Sequence, residues 1–491
     1  MEVIARLTVR HAVELRKPIA ANARCRRATG SNPPGGEPGR ASRCRACPAS
    51  RSPCAATWSR APSSSCAAAP RPARRSPARS APNGHVGYSQ PIGGVLAYPG
   101  HISPSGVGYD IACGNKAVRT DVLVDDVRPA LPRIMDEVFK RISFGIGRSN
   151  AERVDHPVLD AIQRADFHPQ RKLVQMARNQ LGTVGAGNHY VDLFAGDDGF
   201  VWVGVHFGSR GFGHKTASGF LALAAGRRFD ERGPAGEMDS PPVLLPVDSA
   251  LGHDYIAAMS LAGEYAYAGR DDVVGKVLEI LGASSTYEVH NHHNFAWREQ
   301  HMGADTWVIR KGCTPAFPGQ EGFVGATMGE PSVILRGTQS DEGEGLLYST
   351  VHGAGRAMSR TRAAGRVGNR AECGARDCAF WVTWSHYRHE RERAGIAERE
   401  RFTLCPLHPA GKMVKRRGRV KEGAIDFAAV RARLAGGGIE LRGGAADEAP
   451  DAYKRLDLVL AAHGDTIEIV HRLYPIGVAM AGEDTFDPYK D

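Results

Sequence analysis

The strongest constraint on folding is the absence of large aliphatic side chains near the N-terminus. Residues 21–80 contain no Leu, Ile, Val, Phe or Met, and they are rich in Arg, Ala and Pro. A segment without apolar surface to bury does not offset the entropy that it loses on ordering. Residues 1–82 are therefore predicted to be disordered, and the folded protein is expected to begin at about residue 83.

The same segment carries the positive charge of the chain. The formal net charge is +10, and without residues 1–80 it would be slightly negative. Three origins are open: a basic arm for RNA, a targeting peptide, or a GC-rich gene read in a wrong frame, which we favour because of the Arg, Ala, Pro, Ser and Cys bias. Residues 1–20 lack the continuous apolar run of a signal peptide. The chain contains no stretch of 18 apolar residues, so the sequence predicts no membrane span.

Beyond residue 82, apolar runs alternate with glycine-rich turns, which is typical of a loop-rich α/β enzyme. The cysteines of this part are few and unevenly spaced, so they indicate an intracellular, cytoplasmic protein rather than a disulfide framework. Apolar periodicity predicts helices over 128–142, 215–229, 249–266 and 425–434, with two short ones within 451–472. Short β-rich runs predict strands over 200–207, 306–309 and 333–335.

Six glycine-rich segments carry side chains suited to metal and phosphate chemistry. Glycine allows the backbone to approach a ligand closely, and a mixed set of O, S and N ligands suits manganese, zinc or iron better than magnesium. Two such metals would polarise phosphoryl oxygens on both sides of a displacement. The segments are Gly106–Gly114 with Asp110 and Cys113, Gly182–His189, Val205–His214 with His206, His290–Asn294, Arg310–Phe317 followed by Gly325–Ser332, and Ser349–Arg356 with His352.

Taken singly, each segment also has a structural interpretation, such as a glycine turn with a buried thiol or a histidine in the core. Strand periodicity places His290 and His292 on one face and His293 on the other, so at most two of these histidines can share a site. His352 is flanked by small residues, which leaves room for in-line attack on phosphorus. The candidate contacts to phosphate or RNA are Arg210, Arg310 and Lys311.

The order and spacing of the six segments, together with Glu448–Lys454, resemble the RtcB family of GTP-dependent RNA-splicing ligases. The resemblance covers about residues 83–360 and 421–482, and it implies a mixed α/β (α+β) fold around a dinuclear manganese centre. It implies that Cys113 bridges the two metals, with Asp110 and His189 at one site and His206 and His293 at the other. His293–Glu299 fits a family motif, whereas the preceding residues 287–289 fit His290 better, so His290 stays an alternative.

The resemblance also implies a GTP site. His352 matches the histidine that the family guanylylates. Asp192 stands where the family usually has Glu, and Met480 stands where the family ends in a Lys that contacts guanine, so Lys490 becomes the candidate for that contact. The implied GTP-binding positions are Asn188, His189, Tyr190, Val191, Asp192, His293, Asn294, Gly325, Ala326, Thr327, Met328, Ser332, His352, Gly353, Ala354, Gly355 and Lys490.

The implied activity joins RNA 3′-phosphate or 2′,3′-cyclic phosphate ends to 5′-hydroxyl ends through a histidine–GMP intermediate. It would serve RNA repair or tRNA splicing, with RNA ends, GTP and two manganese ions as partners, and an activating protein partner stays open. The alternatives are a non-ligating paralogue that binds RNA ends or nucleotide, and a metallophosphoesterase.

A basic insert interrupts the family pattern at residues 361–422, between the catalytic core at 83–360 and its C-terminal part at 423–491. Cys373, Cys378, Cys405 and His408 are spaced like the ligands of a zinc ribbon, which predicts one structural zinc ion. The alternative is a decayed ribbon or a polar helix around Arg388–Arg401. The basic run Lys415–Arg419 indicates contact with RNA.

Overall fold

The computed structural model describes residues 79–85, 89–231, 241–483 and 485. Lys490 and residues 1–78 lie outside this range, so the predicted disorder of the N-terminal segment and the guanine contact of Lys490 are not addressed. Residues 79–82, predicted to belong to the disordered segment, form the start of the first strand, Arg79–His85. All described residues belong to one compact unit, Arg71–Asp491.

Nineteen strands occur in the described ranges. They are β1 Arg79–His85, β2 Ile92–Tyr98, β3 His101–Ile102, β4 Gly114–Leu123, β5 Tyr190–Gly196, β6 Phe200–Phe207, β7 Leu245–Pro246, β8 Ser285–His292, β9 Asn294–His301, β10 Ala304–Lys311, β11 Cys313–Pro315, β12 Glu321–Val324, β13 Ser332–Gly337, β14 Ser349–Val351, β15 Arg366–Cys373, β16 Trp381–Thr383, β17 Met413–Lys421, β18 Glu440–Gly444 and β19 Ile467–Gly482.

The described α-helices connect and cover these strands. They are α1 Pro104–Val107, α2 Val124–Val127, α3 Leu131–Arg141, α4 Pro157–Arg164, α5 His168–Arg171, α6 Val174–Gln180, α7 Arg210–Ala224, α8 Ala250–Leu281, α9 Asp341–Gly345, α10 Arg360–Ala364, α11 Trp384–Arg393, α12 Phe427–Gly436 and α13 Leu456–Ala461. Short 3-10 turns occupy Arg128–Ala130, Ala446–Glu448 and Pro450–Ala452.

The strands form one large sheet and several small ones. The large sheet has eight strands in the order β12-β13-β19-β5-β6-β4-β8, with β18 added beside β19. Its pairs are antiparallel except for β18 with β19. A second sheet has the order β1-β2-β10-β9. The architecture is the predicted mixture of α and β.

Helices α3 and α8 cover one face of the large sheet, because both present apolar side chains to it. Val273, Val274 and Val277 of α8 and Met135 of α3 pack in one cluster with valines of β4, β5 and β6. The 32-residue α8 begins at the N-cap Ser249 and ends at Gly282, whose φ of 63° only glycine adopts readily. This long helix supports the end of the sheet where the candidate site lies.

Most of the predicted elements are confirmed, with shifted ends. The strand at 200–207 and the helix at 128–142 are present, the latter with a 3-10 first turn. Helix α7 begins at residue 210 rather than 215, and α8 continues 15 residues beyond its predicted end at 266. Within 451–472 the two short helical segments are followed by the start of the long β19.

The insert folds as a small β-sheet with one helix. Its strands have the order β16-β15-β17, and α11 packs on the sheet through Tyr387. The two ends of the insert lie together, because the amide of Ala424 donates to the carbonyl of Arg362 at 2.9 Å. The insert therefore leaves and rejoins the core at one place. No helix in the described ranges has the length and apolar character needed to cross a membrane.

Candidate metal and nucleotide site

The candidate metal ligands converge because they lie near the ends of neighbouring strands in the large sheet. In antiparallel strands, the start of one strand lies beside the end of the next. Cys113 immediately precedes β4, and His189 immediately precedes β5, whereas His206 is close to the end of β6. In the register of the sheet, Tyr190 lies opposite His206, and Gly114 lies opposite both Phe207 and His292. Antiparallel pairing thus gathers residues that are far apart in sequence.

Cys113 lies between two groups of potential ligands. Its Sγ is 3.5 Å from Nε2 of His189 and 3.3 Å from Nε2 of His206, and Nε2 of His189 is 3.1 Å from Oδ2 of Asp110. One group consists of Asp110, Cys113 and His189, and the other of Cys113, His206 and His293, with ligand atoms within 4.8 Å of one another in each. This is the set, and the sharing of Cys113, that the resemblance implies.

The electrostatics of the two groups suit cation binding. Burial raises the pKa of Asp110, but the hydrogen bond and charge of His189 outweigh it and hold this pKa at about 2. Burial lowers the pKa of His206 and of His293, so both imidazoles stay neutral. Burial, together with the charge of Asp110, raises the pKa of Cys113 well above its usual value. Bound cations would reverse that last effect by stabilising the thiolate.

One candidate ligand residue also has an unsatisfied buried nitrogen. Nδ1 of His293 is buried and has no hydrogen-bond partner among the described residues. Gly208 and Gly185 leave the space that the ligands occupy, since a Cβ on Gly208 would lie 2.2 Å from Oδ1 of Asp110 and one on Gly185 2.0 Å from Nδ1 of His189. The residues present therefore fit a pair of transition-metal ions.

Asn294 ties the metal groups to His352. Its Nδ2 donates to the backbone oxygen of Asp110 at 3.3 Å, and its Oδ1 accepts from the amide of Gly312 at 2.7 Å. The carbonyl of Gly312 in turn lies 2.7 Å from Nδ1 of His352. The rings of His293 and His352 are 4.6 Å apart. The candidate nucleophile is thereby held next to the candidate metals.

The side chains of His290 and His292 point away from the candidate metal groups. Because side chains alternate along a strand, His293, which follows β8, points to the opposite side. Both contact Arg270 of α8, whose Nε lies 2.7 Å from Nε2 of His290 and whose second terminal nitrogen lies 3.0 Å from Nδ1 of His292. The geometry thus groups His293, and not His290, with the metal ligands.

Arg270 is one of two supporting residues that were not predicted from the sequence. It is fully buried and donates to the carbonyls of Ala112 and Phe207 at 3.1 and 2.7 Å, so it holds the backbone beside Cys113 and His206. A single arginine among the apolar residues of a helix carries no spacing information, so the sequence offered no signal for this residue. Asn115 was missed as well, and it donates to the carbonyl of His352 at 3.2 Å.

A second set of unsatisfied polar atoms occurs at three of the predicted nucleotide positions. The hydroxyl oxygens of Tyr190 and Thr327 and Oδ1 of Asp192 are buried without a hydrogen-bond partner among the described residues. Burial raises the pKa of Asp192 well above its usual value. Met480 lies opposite Tyr190 in the sheet and packs with it and Met328. An apolar side chain therefore stands where the family has its terminal lysine.

The other predicted nucleotide positions are distributed around the same region. Gly325 bridges to Gly353, and the hydroxyl of Ser332 accepts from the amide of Ala326 at 3.0 Å. Val191 is fully buried in the core beneath the sheet and lies between Ala479 and Val205 of the neighbouring strands, so the structure does not support a nucleotide contact at this position. Asn188 is half-buried, and Ala354 is buried. Gly355 takes a positive φ of 75° and accepts from the amide of Lys454.

The three predicted phosphate contacts differ in their surroundings. Arg210 donates to Oγ1 of Thr183 at 3.1 Å and to the carbonyl of Gly145 at 2.9 Å, at the base of the Gly182–His189 loop. Lys311 is buried next to Gly312, and burial lowers its pKa to about 7.

Arg310 does not fit the predicted role. Its side chain is fully buried, and its guanidinium is paired with Glu299 through two hydrogen bonds of 2.6 and 3.0 Å and donates to Ser349 and Leu347. Because it does not reach the solvent, we assign it a structural role rather than a phosphate contact.

The insert holds a third candidate metal group. Cys373, Cys378, Cys405 and His408 have ligand atoms within 4.8 Å of one another. The Cys378 and Cys405 sulfurs are 3.7 Å apart, and Nδ1 of His408 is 3.5 Å from Sγ of Cys373 and 3.6 Å from Sγ of Cys405. Two thiolates on a tetrahedral zinc ion with bonds of about 2.3 Å are about 3.8 Å apart. All three thiols are free of disulfides.

Comparison with known proteins agrees with this geometry. The family model for "tRNA-splicing ligase RtcB" matches residues 67–379. Proteins named tRNA-splicing ligase RtcB from Thermococcus kodakarensis and Archaeoglobus fulgidus are 32% and 31% identical over 358 residues, which is 57% of this chain and 73% of each relative. The RNA-splicing ligase RtcB of Escherichia coli K12 is 29% identical over 309 residues, 57% of this chain and 74% of that protein.

Proposed function

Because this chain belongs to the RtcB family of tRNA-splicing ligases, we propose that it is an RNA ligase acting in tRNA splicing or RNA repair. It joins RNA 3′-phosphate or 2′,3′-cyclic phosphate ends to 5′-hydroxyl ends. The observation that carries the proposal is the position of His352, whose ring lies 4.6 Å from that of His293 and thus beside two ligand groups that share Cys113. A nucleophile next to two cation sites suits phosphoryl chemistry.

We assign one manganese ion to Asp110, Cys113 and His189, and a second to Cys113, His206 and His293. Thiolate and imidazole ligands favour a transition metal over magnesium. When bound, the two ions neutralise charge on phosphoryl oxygens and polarise the phosphorus for attack. The Cys113 thiolate, which belongs to both ligand groups, would hold two such ions close enough to act on one phosphate group.

His352 is the nucleophile in this proposal. With its Nδ1 proton donated to the carbonyl of Gly312, the lone pair resides on Nε2. Nε2 attacks the α-phosphorus of GTP, an N–P bond forms, and the bond between the α-phosphorus and the bridging oxygen breaks. Pyrophosphate leaves with that electron pair. Gly312 holds the ring of His352 in place for this attack, and Asn115 holds its backbone carbonyl.

The remaining steps return the enzyme to its starting state. Hydrolysis first opens a 2′,3′-cyclic phosphate to a 3′-phosphate. An oxygen of that 3′-phosphate attacks the phosphorus of histidine–GMP, and the N–P bond breaks. The 5′-hydroxyl of the second RNA then attacks the activated 3′-phosphate, loses its proton, and displaces GMP. The products are the joined RNA strand and free GMP.

The buried polar atoms of Tyr190, Asp192 and Thr327 support the nucleotide position, because burial without a partner costs free energy that a bound nucleotide would recover. A carboxyl group whose pKa is raised, as at Asp192, can also donate a hydrogen bond when protonated. The contact of Lys490 with guanine, an activating protein partner and a cytoplasmic location stay predictions.

Arg210 and Lys311 are proposed to approach phosphate groups of GTP or RNA. Arg210 already orders the glycine-rich loop that carries His189. A phosphate next to the buried Lys311 would raise its lowered pKa again and so favour the charged ammonium.

The insert is proposed to hold one structural zinc ion through Cys373, Cys378, Cys405 and His408. The spacing of their ligand atoms matches a tetrahedral site. Burial alone would raise the pKa of Cys405, but hydrogen bonds with His408 and the backbone lower it to about 7, which favours the thiolate that zinc requires.

Covalent labelling tests the central step. Full-length protein is incubated with manganese and GTP radiolabelled at the α-phosphate, and the protein is then denatured and examined for bound label. We expect labelled protein that is absent from His352→Ala and present in the control His253→Ala, which removes an exposed histidine of α8. Absence of label from the wild-type protein would favour a non-ligating nucleotide-binding protein or a metallophosphoesterase.

A further inference from the structure

We propose that one face of the insert's sheet is a stacking platform for single-stranded RNA. The platform consists of Trp381, Arg370 and Arg416. The inference deepens the proposed function, since it takes RNA as the substrate class and identifies where the enzyme grips a strand outside the candidate metal and nucleotide site.

The register of the sheet places the three residues on one face. Directly opposite residues in antiparallel strands point to the same side. Trp381 lies opposite Glu372, and Arg370, two residues from Glu372 on β15, lies opposite both Thr383 and Arg416. Trp381, Arg370 and Arg416 therefore form one row of side chains that runs diagonally across the three strands.

Arg370 lies over one face of the Trp381 ring. The guanidinium carbon of Arg370 lies 4.8 Å from the centroid of that ring. The guanidinium also passes over Gly418, where a Cβ would come within 2.6 Å of it. Glycine at this position of β17 thus lets the arginine lie against the sheet, where it also pairs with Glu372. A nucleobase can stack on the guanidinium plane or on the part of the indole that stays exposed.

Packing of the insert does not account for the exposure of Trp381. The core of the insert is on the other face, where Cys373, Met413 and Tyr387 are buried. Trp384 belongs to that side, since its ring lies 5.1 Å from the ring of Tyr387 and the Lys415 ammonium covers it. Trp381, by contrast, keeps 37% of its surface exposed. A partly exposed tryptophan beside cations is the combination with which proteins bind single-stranded nucleic acids.

The charges around the platform favour a polyanion. Strand β17 exposes five cationic side chains, at Lys415, Arg416, Arg417, Arg419 and Lys421. The Arg416 side chain is 66% exposed and lies 3.4 Å from Glu372. Cations at this density neutralise phosphates and release counterions, which gives affinity for any nucleic acid. The aromatic surface adds a preference for unpaired bases, whose faces are accessible only in single strands.

The insert is rooted next to the nucleotide positions. Arg360, six residues before β15, pairs with Asp447 and Glu448. Its guanidinium also packs against Gly187, because a Cβ there would lie 2.9 Å from it. Gly187 immediately precedes Asn188 and His189. The base of the insert therefore adjoins the candidate site, and the sheet that carries the platform extends from that base.

Binding of a fluorescein-labelled, unstructured RNA oligonucleotide to the full-length protein tests the platform. We expect Trp381→Ala to raise Kd about tenfold, the loss of one base–aromatic stack, and Trp381→Phe to retain most of the affinity. Arg416→Ala and Arg417→Ala form a matched pair on opposite faces of β17. Arg416→Ala is expected to lower the salt dependence of binding by about one phosphate, and Arg417→Ala by less, because Arg417 lies on the other face of the strand.

Controls separate this inference from the proposed function. Each variant should form histidine–GMP at the wild-type rate, which shows that the core is folded. An unchanged Kd for Trp381→Ala, equal losses for Arg416→Ala and Arg417→Ala, or equal competition by a blunt RNA duplex would each overturn the platform. If the wild-type protein forms no histidine–GMP, the proposed function fails, whereas the binding comparison still decides whether the platform exists.

Discussion

The Nδ1 atom of His352 lies 2.7 Å from the carbonyl oxygen of Gly312. A carbonyl oxygen only accepts hydrogen bonds, so this contact places the imidazole proton on Nδ1 and the lone pair on Nε2. Gly312 has a φ of 67° and its amide donates to Asn294 at 2.7 Å. One glycine thus links the orientation of the nucleophile to a side chain that also contacts Asp110.

Gly312→Ala is expected to slow histidine–GMP formation at least tenfold. A Cβ there would lie 2.6 Å from Cγ2 of Ile92 and 3.1 Å from Cε1 of His352, so the ring must move away from the carbonyl. The rate is measured with GTP labelled at the α-phosphate. The control is Gly303→Ala, which has a φ of 74° but no neighbouring atoms within 4 Å, and equal slowing in both variants would contradict the prediction.

Cys113→Ala is expected to weaken manganese binding at both sites, by more than about 100-fold, because its thiolate belongs to both ligand groups. His189→Ala and His293→Ala should each affect one site of the two. Titration followed by electron paramagnetic resonance of free manganese measures the stoichiometry. Cys313→Ser, which changes a buried thiol of a separate core cluster, should bind as the wild type does. Loss of only one ion in Cys113→Ala would exclude a bridging thiolate.

Lys311 makes the stability of the ligand-free protein depend on pH. Burial lowers its pKa to about 7 from 10.5, so between these values the unfolded chain binds more protons than the folded one. Stability therefore rises with pH from about 7 to about 10.5, and the penalty of the buried charge is fully present below pH 7.

In urea denaturation, the difference in free energy of unfolding between Lys311→Met and the wild type should shrink as pH rises across this range. The exposed Lys172→Met is the control, and its difference should stay constant with pH. A constant difference for Lys311→Met as well would contradict the pKa shift.

Arg270→Met is expected to destabilise the protein by about 1–3 kcal/mol for each buried carbonyl that loses its donor. The variant leaves the carbonyls of Ala112 and Phe207 without their donor. These carbonyls adjoin Cys113 and His206, so the affinity for manganese should fall too. The side chain of Arg270 makes no hydrogen bond to any of the candidate metal ligands. Urea denaturation measures the first effect. Arg298→Met, at an exposed surface pair with Asp305, should leave the free energy of unfolding nearly unchanged.

Cys405→Ser is expected to remove one zinc ion per chain, as measured by elemental analysis of the purified protein. The variant should still form histidine–GMP, because the metal group of the insert shares no residue with the two metal groups beside His352. Limited proteolysis should become faster within residues 374–412, since zinc ligation joins the two ends of that segment. Zinc content equal to that of Cys313→Ser would contradict a site in the insert.

The sequence predicted the metal-binding side chains of the site better than it predicted the residues that hold them in place. Asp110, Cys113, His189 and His206 were candidates because they lie in glycine-rich segments, the family resemblance added His293 and the grouping, and the structure places the five residues together. Arg310 was misinterpreted because a cation next to a glycine turn also fits a buried pair with a distant carboxylate, here Glu299. Arg270 gave no pattern, since one arginine on an apolar helix carries no spacing information.

Local periodicity determined β6 and α3, because their apolar repeats follow from the geometry of a single strand or helix. It also separated His293 from His290 and His292 by their faces. Only the tertiary structure decided which ligands share Cys113, how Asn294 and Gly312 hold His352, and which tryptophan of the insert reaches solvent. Those relationships depend on pairing between strands far apart in sequence, and the register of such pairing is set by the packing of the whole sheet.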